Sequence, residues 1–212
     1  MSKNKESIIN QLTQKPWEPA QVKVDNLHEG KTFNLHVGKI GLRYIMVVST
    51  IMFCLFIVTY ADRMVYDDWV RMPEPFLLWI NTLILVISSF VFIRIQLASK
   101  KNNFEKARRE LFFIGFLAVL FLIGQLLVWQ DLVQAGYYVS GSPANGYFYV
   151  FTTLHGFHLL GGLIYWAMTI NKVWKLENIV IRKAKHTIEL CAIYWHFLLA
   201  VWIVLFGLML FS

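Results

Sequence analysis

The chain is 212 residues long, 57% hydrophobic and 16% aromatic, with a net charge of +7 and a mean hydropathy of +0.52. A soluble domain of this size seldom has a positive mean hydropathy, so composition excludes an ordinary water-soluble enzyme and points to the bilayer. The positive charge does not argue for nucleic acid, because membrane proteins collect Lys and Arg in their cytoplasmic loops.

Met1 to about Lys39 reads as a polar tail with Pro16 and Pro19, extended or partly disordered, without the apolar core of a signal peptide and expected to stay in the cytoplasm. Residues 40–212 then hold five apolar runs of about 20 residues, the length that crosses a hydrocarbon core of ~30 Å at 1.5 Å rise per residue. The first runs from about Gly41 to Tyr60, followed by an acidic loop with Asp62, Asp67, Asp68 and Glu74. Pro73 and Pro75 mark the entry to the second, about Phe76 to Leu97. After a basic loop comes the third, about Leu111 to Trp129, and then a Gly/Ser/Pro/Asn turn over Ser140 to Gly146 that no helix is expected to cross. The fourth is about Tyr147 to Ile170 and the fifth about Thr187 to Phe211. The fold expected is an all-α integral membrane five-helix bundle.

Orientation follows from Lys and Arg in the short loops. Arg94, Lys100, Lys101, Lys106, Arg108 and Arg109 lie at the second-to-third connection, and Lys172, Lys175, Arg182, Lys183 and Lys185 at the fourth-to-fifth. The opposite side carries Arg63 and Arg71. The amino terminus is therefore expected inside and the carboxyl terminus outside. Cys54 and Cys191 both fall in apolar runs and read as small hydrophobes, indicating neither a disulfide framework nor a zinc site.

Polar groups in hydrocarbon are costly and each raises a functional question. The fourth span offers Thr152, Thr153, His155 and His158, with His155, His158 and Gly162 on one stripe. The fifth offers Glu189 and His196, seven residues apart and so on one face. At 1.5 Å per residue His158 and His196 each lie about 14–16 Å deep, near the midplane. Gln125 on the third span sits at a depth similar to His155, which suggests a polar layer linking spans three, four and five.

These histidines admit three readings. Two from different helices could ligate a haem, as in a bis-histidine membrane cytochrome. They could instead tighten helix packing through hydrogen bonds, the reading favoured because Phe157, Tyr165 and Trp195 crowd the space a haem needs. A proton path is disfavoured, since spans one to three hold no buried acid and Glu189 lies about one turn from the entrance, an interfacial acid near Lys185. The same shortage of acids argues against a transporter or channel. Trp79, Trp129, Tyr147 and Tyr149 read as interface anchors. Ser88, Ser89, Gly161 and Gly162 read as close-packing residues, and Ser49 and Thr50 as hydroxyls returned to their own helix backbone.

Four strings resemble the haem-copper terminal oxidase subunit III family. Phe151 to Gly162, FTTLHGFHLLGG, resembles its T-G-x-H-G-x-H-x-x-x-G signature. Glu189 with Tyr194-Trp195-His196-Phe197 and Trp202 resembles E-x-x-x-x-Y-W-H-F-x-D-x-x-W. Leu78-Trp79-Ile80-Asn81-Thr82 with Ser88-Ser89 looks like the L-W-x-N-T and S-S block, and Gln125, Trp129, Leu132 and Gly136 sit as in Q-x-x-x-W-x-x-L-x-x-x-G. The likeness runs from about Lys39 to Phe211 and is to the short, five-helix bacterial form. Three positions depart from the pattern. The family's glutamate midway along the first of these helices is Ser49 or Thr50 here, the aspartate after Y-W-H-F is Leu199, and a signature glycine is Thr153.

The resemblance implies an accessory subunit of a cytochrome c or quinol oxidase in the bacterial inner membrane. It would bind no haem or copper itself, those belonging to partner subunits. Its main contact would be subunit I, with subunit II and other respiratory subunits nearby and phospholipid at the boundary; no nucleic acid is expected. Trp79, Asn81, Gln125, Trp129, His155, His158, Glu189, Tyr194, Trp195 and His196 are then structural, lipid-contacting or interface residues. The missing glutamate argues against a direct proton role. The alternatives are a related subunit of nitric oxide reductase systems and the bis-histidine cytochrome using His158 and His196.

Overall fold

A computed structural model describes residues 37–174 and 181–211. Nearly all of the tail expected over Met1 to Lys39 lies outside these residues, as does part of the basic loop between the last two helices. Five helices follow in order: α1 Val37–Arg63, α2 Phe76–Lys100, α3 Phe104–Gln134, α4 Pro143–Trp174 and α5 Ile181–Phe211. By its internal contacts the chain divides after Arg43, and the packing below concerns Tyr44 onward.

Four of the helices, α1, α2, α3 and α5, are long and apolar enough to cross a membrane. The fourth is long enough, since its 32 residues span about 48 Å. It falls short in apolar character because Asn145, Thr152, Thr153, His155, His158 and several glycines interrupt it. A helix so diluted is tolerable in hydrocarbon when its neighbours cover the polar groups, and Asn145, Thr152 and His155 are all buried.

Helices α2 to α5 close an up-and-down ring. Each packs against its sequence neighbour, and α5 returns to pack on α2. The hairpin between α2 and α3 is short, residues 101–103: Asn102 takes the left-handed conformation (φ 58°) with Asn103 N–H bonded to Ala98 O at 3.0 Å. Asn103 then caps α3, its side-chain oxygen accepting from Lys106 N–H at 3.1 Å. At the far end of α3, Gly136 (φ 89°) makes the equivalent stop, with Tyr137 N–H bonded to Leu132 O at 2.9 Å.

The turn expected over Ser140 to Gly146 is shorter than its composition suggested, because α4 already begins at Pro143. Proline at the first helical position has no N–H to strand, and Ser142 before it accepts from Ala144 N–H at 3.3 Å. Ser142 also bonds the backbone of Val70, N–H and carbonyl both at 3.3 Å, so the same residue fastens the loop after α1.

Helix α1 stands outside the ring. A cluster of Phe53, Tyr60, Phe151 and Leu205, joined by Trp69 and Tyr147, holds it against α4 and α5. Its other face, with Tyr44, Val48, Ile51, Leu55 and Val58, is exposed.

Candidate functional site

The buried polar side chains form a set of interhelical ties, and one device recurs in it. A helical Ser or Thr donates its hydroxyl proton to its own backbone one turn back, which leaves an oxygen lone pair for the indole N–H of a facing helix. Ser88 donates to Leu85 O (2.7 Å) and accepts from Trp195 Nε1 (2.8 Å), joining α2 to α5. Thr82 donates to Leu78 O (2.8 Å) and accepts from Trp202 Nε1 (2.9 Å), joining the same pair one turn or two further along. Thr152 donates to Phe148 O (2.8 Å) and accepts from Trp129 Nε1 (3.1 Å), joining α3 to α4. Trp129 and Tyr149 are thus tied inside the protein and are not merely interface anchors; Tyr149 is buried, its hydroxyl donating to Tyr137 O at 3.0 Å. Trp79 is half exposed, edge-on to Phe206.

The histidine stripe expected on α4 splits. His158 turns to α1, where its Nε2 lies 2.7 Å from Ser49 Oγ and its Nδ1 2.8 Å from Leu154 O. A carbonyl can only accept, so in the neutral ring Nδ1 carries the proton and Nε2 accepts from Ser49. Ser49 therefore bridges helices and does not return to its own backbone as expected; Thr50 does, donating to Met46 O at 2.8 Å. His155 faces the core between Phe121 and Trp202, ring centroids 6.0 and 5.0 Å away. Neither of its nitrogens has a partner among the described residues, so it serves there as a flat ring.

His196 is hydrogen-bonded through Nδ1 to Ser89 Oγ of α2. His158 and His196 therefore address different helices, and both nitrogens of His158 are engaged within the protein. Among the described residues no three His, Cys, Asp or Glu side chains gather. Tyr194 donates to the His158 carbonyl at 3.0 Å, and a side chain at Gly162 would meet Tyr194 and Leu198 at 3.1 Å, so α4 and α5 do approach closely there.

In place of the layer expected to link spans three, four and five, Gln125 makes a pair between α3 and α2. Gln125 reaches α2, where Asn81 Nδ2 donates to its Oε1 at 3.4 Å, and Gly124 gives Asn81 its room. Gln125 also lines an apolar groove of about 290 Å³ between α3 and α4, with Leu122, Leu126, Gly156, Phe157 and Leu160. Glu189 is exposed and shares a groove with Lys185 and with Gln96 and Lys100 of α2.

Sequence reading missed the pairing of Thr82 with Trp202, the Arg94–Glu110 ion pair at 2.8 Å, and the indole of Trp166 donating to Leu111 O at 2.9 Å. An arginine inside an apolar span was a signal for the second; partner choice across helices left none for the others.

Substituting Ser49 by alanine tests the α1 tie. Hydrogen bonds between transmembrane helices average ~0.6 kcal/mol, so Ser49→Ala is expected to cost about that much and no more. A thermal-unfolding series in detergent micelles checks it, and a loss of several kcal/mol would show that Ser49 does more than hold His158.

Comparison with known proteins agrees with this architecture. The family model described as cytochrome c oxidase subunit III matches residues 69–211. The chain is 30% identical over 194 residues to cytochrome c oxidase subunit 3 of Thermostichus vulcanus, covering 89% of this chain and 92% of that protein. It is 32% identical over 126 residues to a probable cytochrome c oxidase subunit 3 of Nocardia farcinica, covering 59% and 61% respectively. It is 25% identical over 178 residues to cytochrome bo(3) ubiquinol oxidase subunit 3 of Buchnera aphidicola, covering 79% and 88%.

Proposed function

The chain belongs to the cytochrome c oxidase subunit III family, and from that membership we propose that it is the accessory, non-redox subunit III of a respiratory haem-copper oxidase in a bacterial plasma membrane. All five helices cross the bilayer, α4 included, with the amino terminus in the cytoplasm. Haem, copper and the reduction of dioxygen belong to partner subunits, fed by cytochrome c or quinol. This chain packs against subunit I and holds phospholipid at the boundary. The apolar groove between α3 and α4 supports the lipid reading, since a side chain at Gly156 meets nothing within 4 Å and an acyl chain fits such a surface.

The observation that carries the reading is how the buried polar groups are spent. Ser49, Thr82, Ser88, Ser89 and Thr152 each tie one helix to another. They form separate rungs, where a proton wire needs a continuous line of exchangeable groups across the bilayer.

Affinity purification of the tagged chain from native membranes tests the assignment. Recovery of a large haem-bearing, multihelix partner with oxygen-reducing activity is the expected result. A preparation that lacks such a partner defeats it, turnover of nitric oxide in place of oxygen moves the chain to the reductase variant, and a Soret band on the isolated chain favours the bis-histidine cytochrome.

A further inference from the structure

We propose that the seam between α2 and α3, at their hairpin end, is a binding site for an anionic glycerophospholipid. The site is a groove of about 340 Å³ lined by Val91, Arg94, Lys106, Arg109, Glu110 and Phe113. Three cations face one carboxylate. Glu110 is largely buried, with a side chain 12% exposed, and its charge is taken up by Arg94 at 2.8 Å, whose own side chain is 62% exposed. Arg94 stands six residues before the end of α2, about 9 Å from the hairpin, and an arginine at that depth is held by a partner. Lys106 and Arg109 are then surplus. Neither forms an ion pair among the described residues, because Glu105, the other acid nearby, pairs with Arg108 at 3.5 Å.

The groove is amphipathic along its length. Arg94, Val91 and Ile87 follow one stripe of α2, and Arg109, Phe113 and Phe116 one stripe of α3, so the cationic mouth continues into an apolar seam. Phe113 and Phe116 are 47% and 62% exposed and Ile87 40%, leaving that seam uncovered by the protein. A phosphodiester at Lys106 and Arg109 with an acyl chain along Ile87 and Phe116 satisfies both parts at once. An acidic protein segment satisfies only the mouth. Basic pockets between transmembrane helices on the cytoplasmic side take anionic headgroups in this way. The site is distinct from the uncharged groove between α3 and α4, and it rests on the lipid-contacting role proposed above.

Native mass spectrometry of the purified complex, titrated with phosphatidylglycerol or phosphatidylcholine, tests the site. Phosphatidylglycerol is expected to bind in preference. Lys106→Gln and Arg109→Gln, both exposed positions, are each expected to weaken it about fivefold, the ratio one basic residue contributes near an anionic surface. Lys172→Gln removes a charge on α4 away from the seam and is expected to change nothing, and inorganic phosphate at the same concentration is expected to displace no lipid. Equal binding of the two lipids, unchanged affinity in both variants, or displacement by phosphate overturns the proposal. Loss of the haem-bearing partner from the variants with lipid retained also overturns it, by making the seam a protein interface. The same spectra show whether the partner is present, so failure of the lipid site is separable from failure of the subunit assignment.

Discussion

Truncating Trp202 to alanine is expected to destabilise the bundle by ~2–5 kcal/mol. Trp202 is fully buried and belongs to α5, yet its ring touches what α3 and α4 supply: Phe121 edge-on at 5.2 Å and His155 at 5.0 Å, with Phe206 of its own helix stacked at 6.4 Å. Its Nε1 reaches α2 through Thr82 at 2.9 Å. Between helices in lipid the transfer of apolar area gains little, because acyl chains are as apolar as leucine, so the loss must be counted in contacts. Three aromatic contacts at ~0.5–1.5 kcal/mol each and one hydrogen bond at ~0.6 kcal/mol give the stated range. Trp202→Phe keeps most of the ring contacts and discards the donor, so it is expected to lose well under half as much. Unfolding of both variants in micelles, followed by thermal midpoint, decides it; equal losses would mean that the Thr82 tie, not the ring stack, holds this centre.

Trp202 also shows where sequence stops being informative. Hydropathy located the helices, because a run of about 20 apolar residues has few alternatives to crossing a bilayer. Motif blocks brought Asn81, Gln125, His158, Trp195 and His196 to notice, and all of them do bridge helices. What the blocks could not state is which helix each one addresses. His155 and His158 are three residues apart, a difference of about 60° around the helix, and that angle suffices to send one into the core and the other to α1. Gln125 was expected in a layer with spans four and five, but its hydrogen bond goes to Asn81 of α2, since α3 packs on both α2 and α4 and periodicity treats either side alike. Ser142 and Pro143 were legible as turn formers, and equally as the start of a helix; α4 resolves this in favour of the second. Ser49 had a sufficient local explanation in its own backbone, so nothing in one chain's sequence demanded that it reach across to His158.

The second large effect is expected at Gly115, where two opposing contributions must be weighed. Alanine in place of a helical glycine gains up to ~1 kcal/mol in backbone propensity. A Cβ at Gly115 would lie 2.3, 2.6 and 3.0 Å from three ring atoms of Trp166, well inside contact distance. The indole has little freedom to yield, because its Nε1 is bonded to Leu111 O at 2.9 Å one turn away on the same helix as the glycine. Overpacking of this kind costs ~1–3 kcal/mol, and swinging the ring aside forfeits a further ~0.6 kcal/mol of hydrogen bond. The steric cost wins, and Gly115→Ala is expected to lower stability by ~1–2.5 kcal/mol while loosening α3 from α4. Gly156 and Gly207 supply the opposite sign, since a Cβ at either meets nothing within 4 Å. Alanine there keeps the propensity gain and is expected to be neutral or stabilising by up to ~1 kcal/mol. Thermal midpoints of the three variants in one detergent separate the two contributions: if Gly115→Ala moves with Gly156→Ala and Gly207→Ala, the Trp166 ring does not seat on α3 as described, and the α3–α4 interface must be packed some other way.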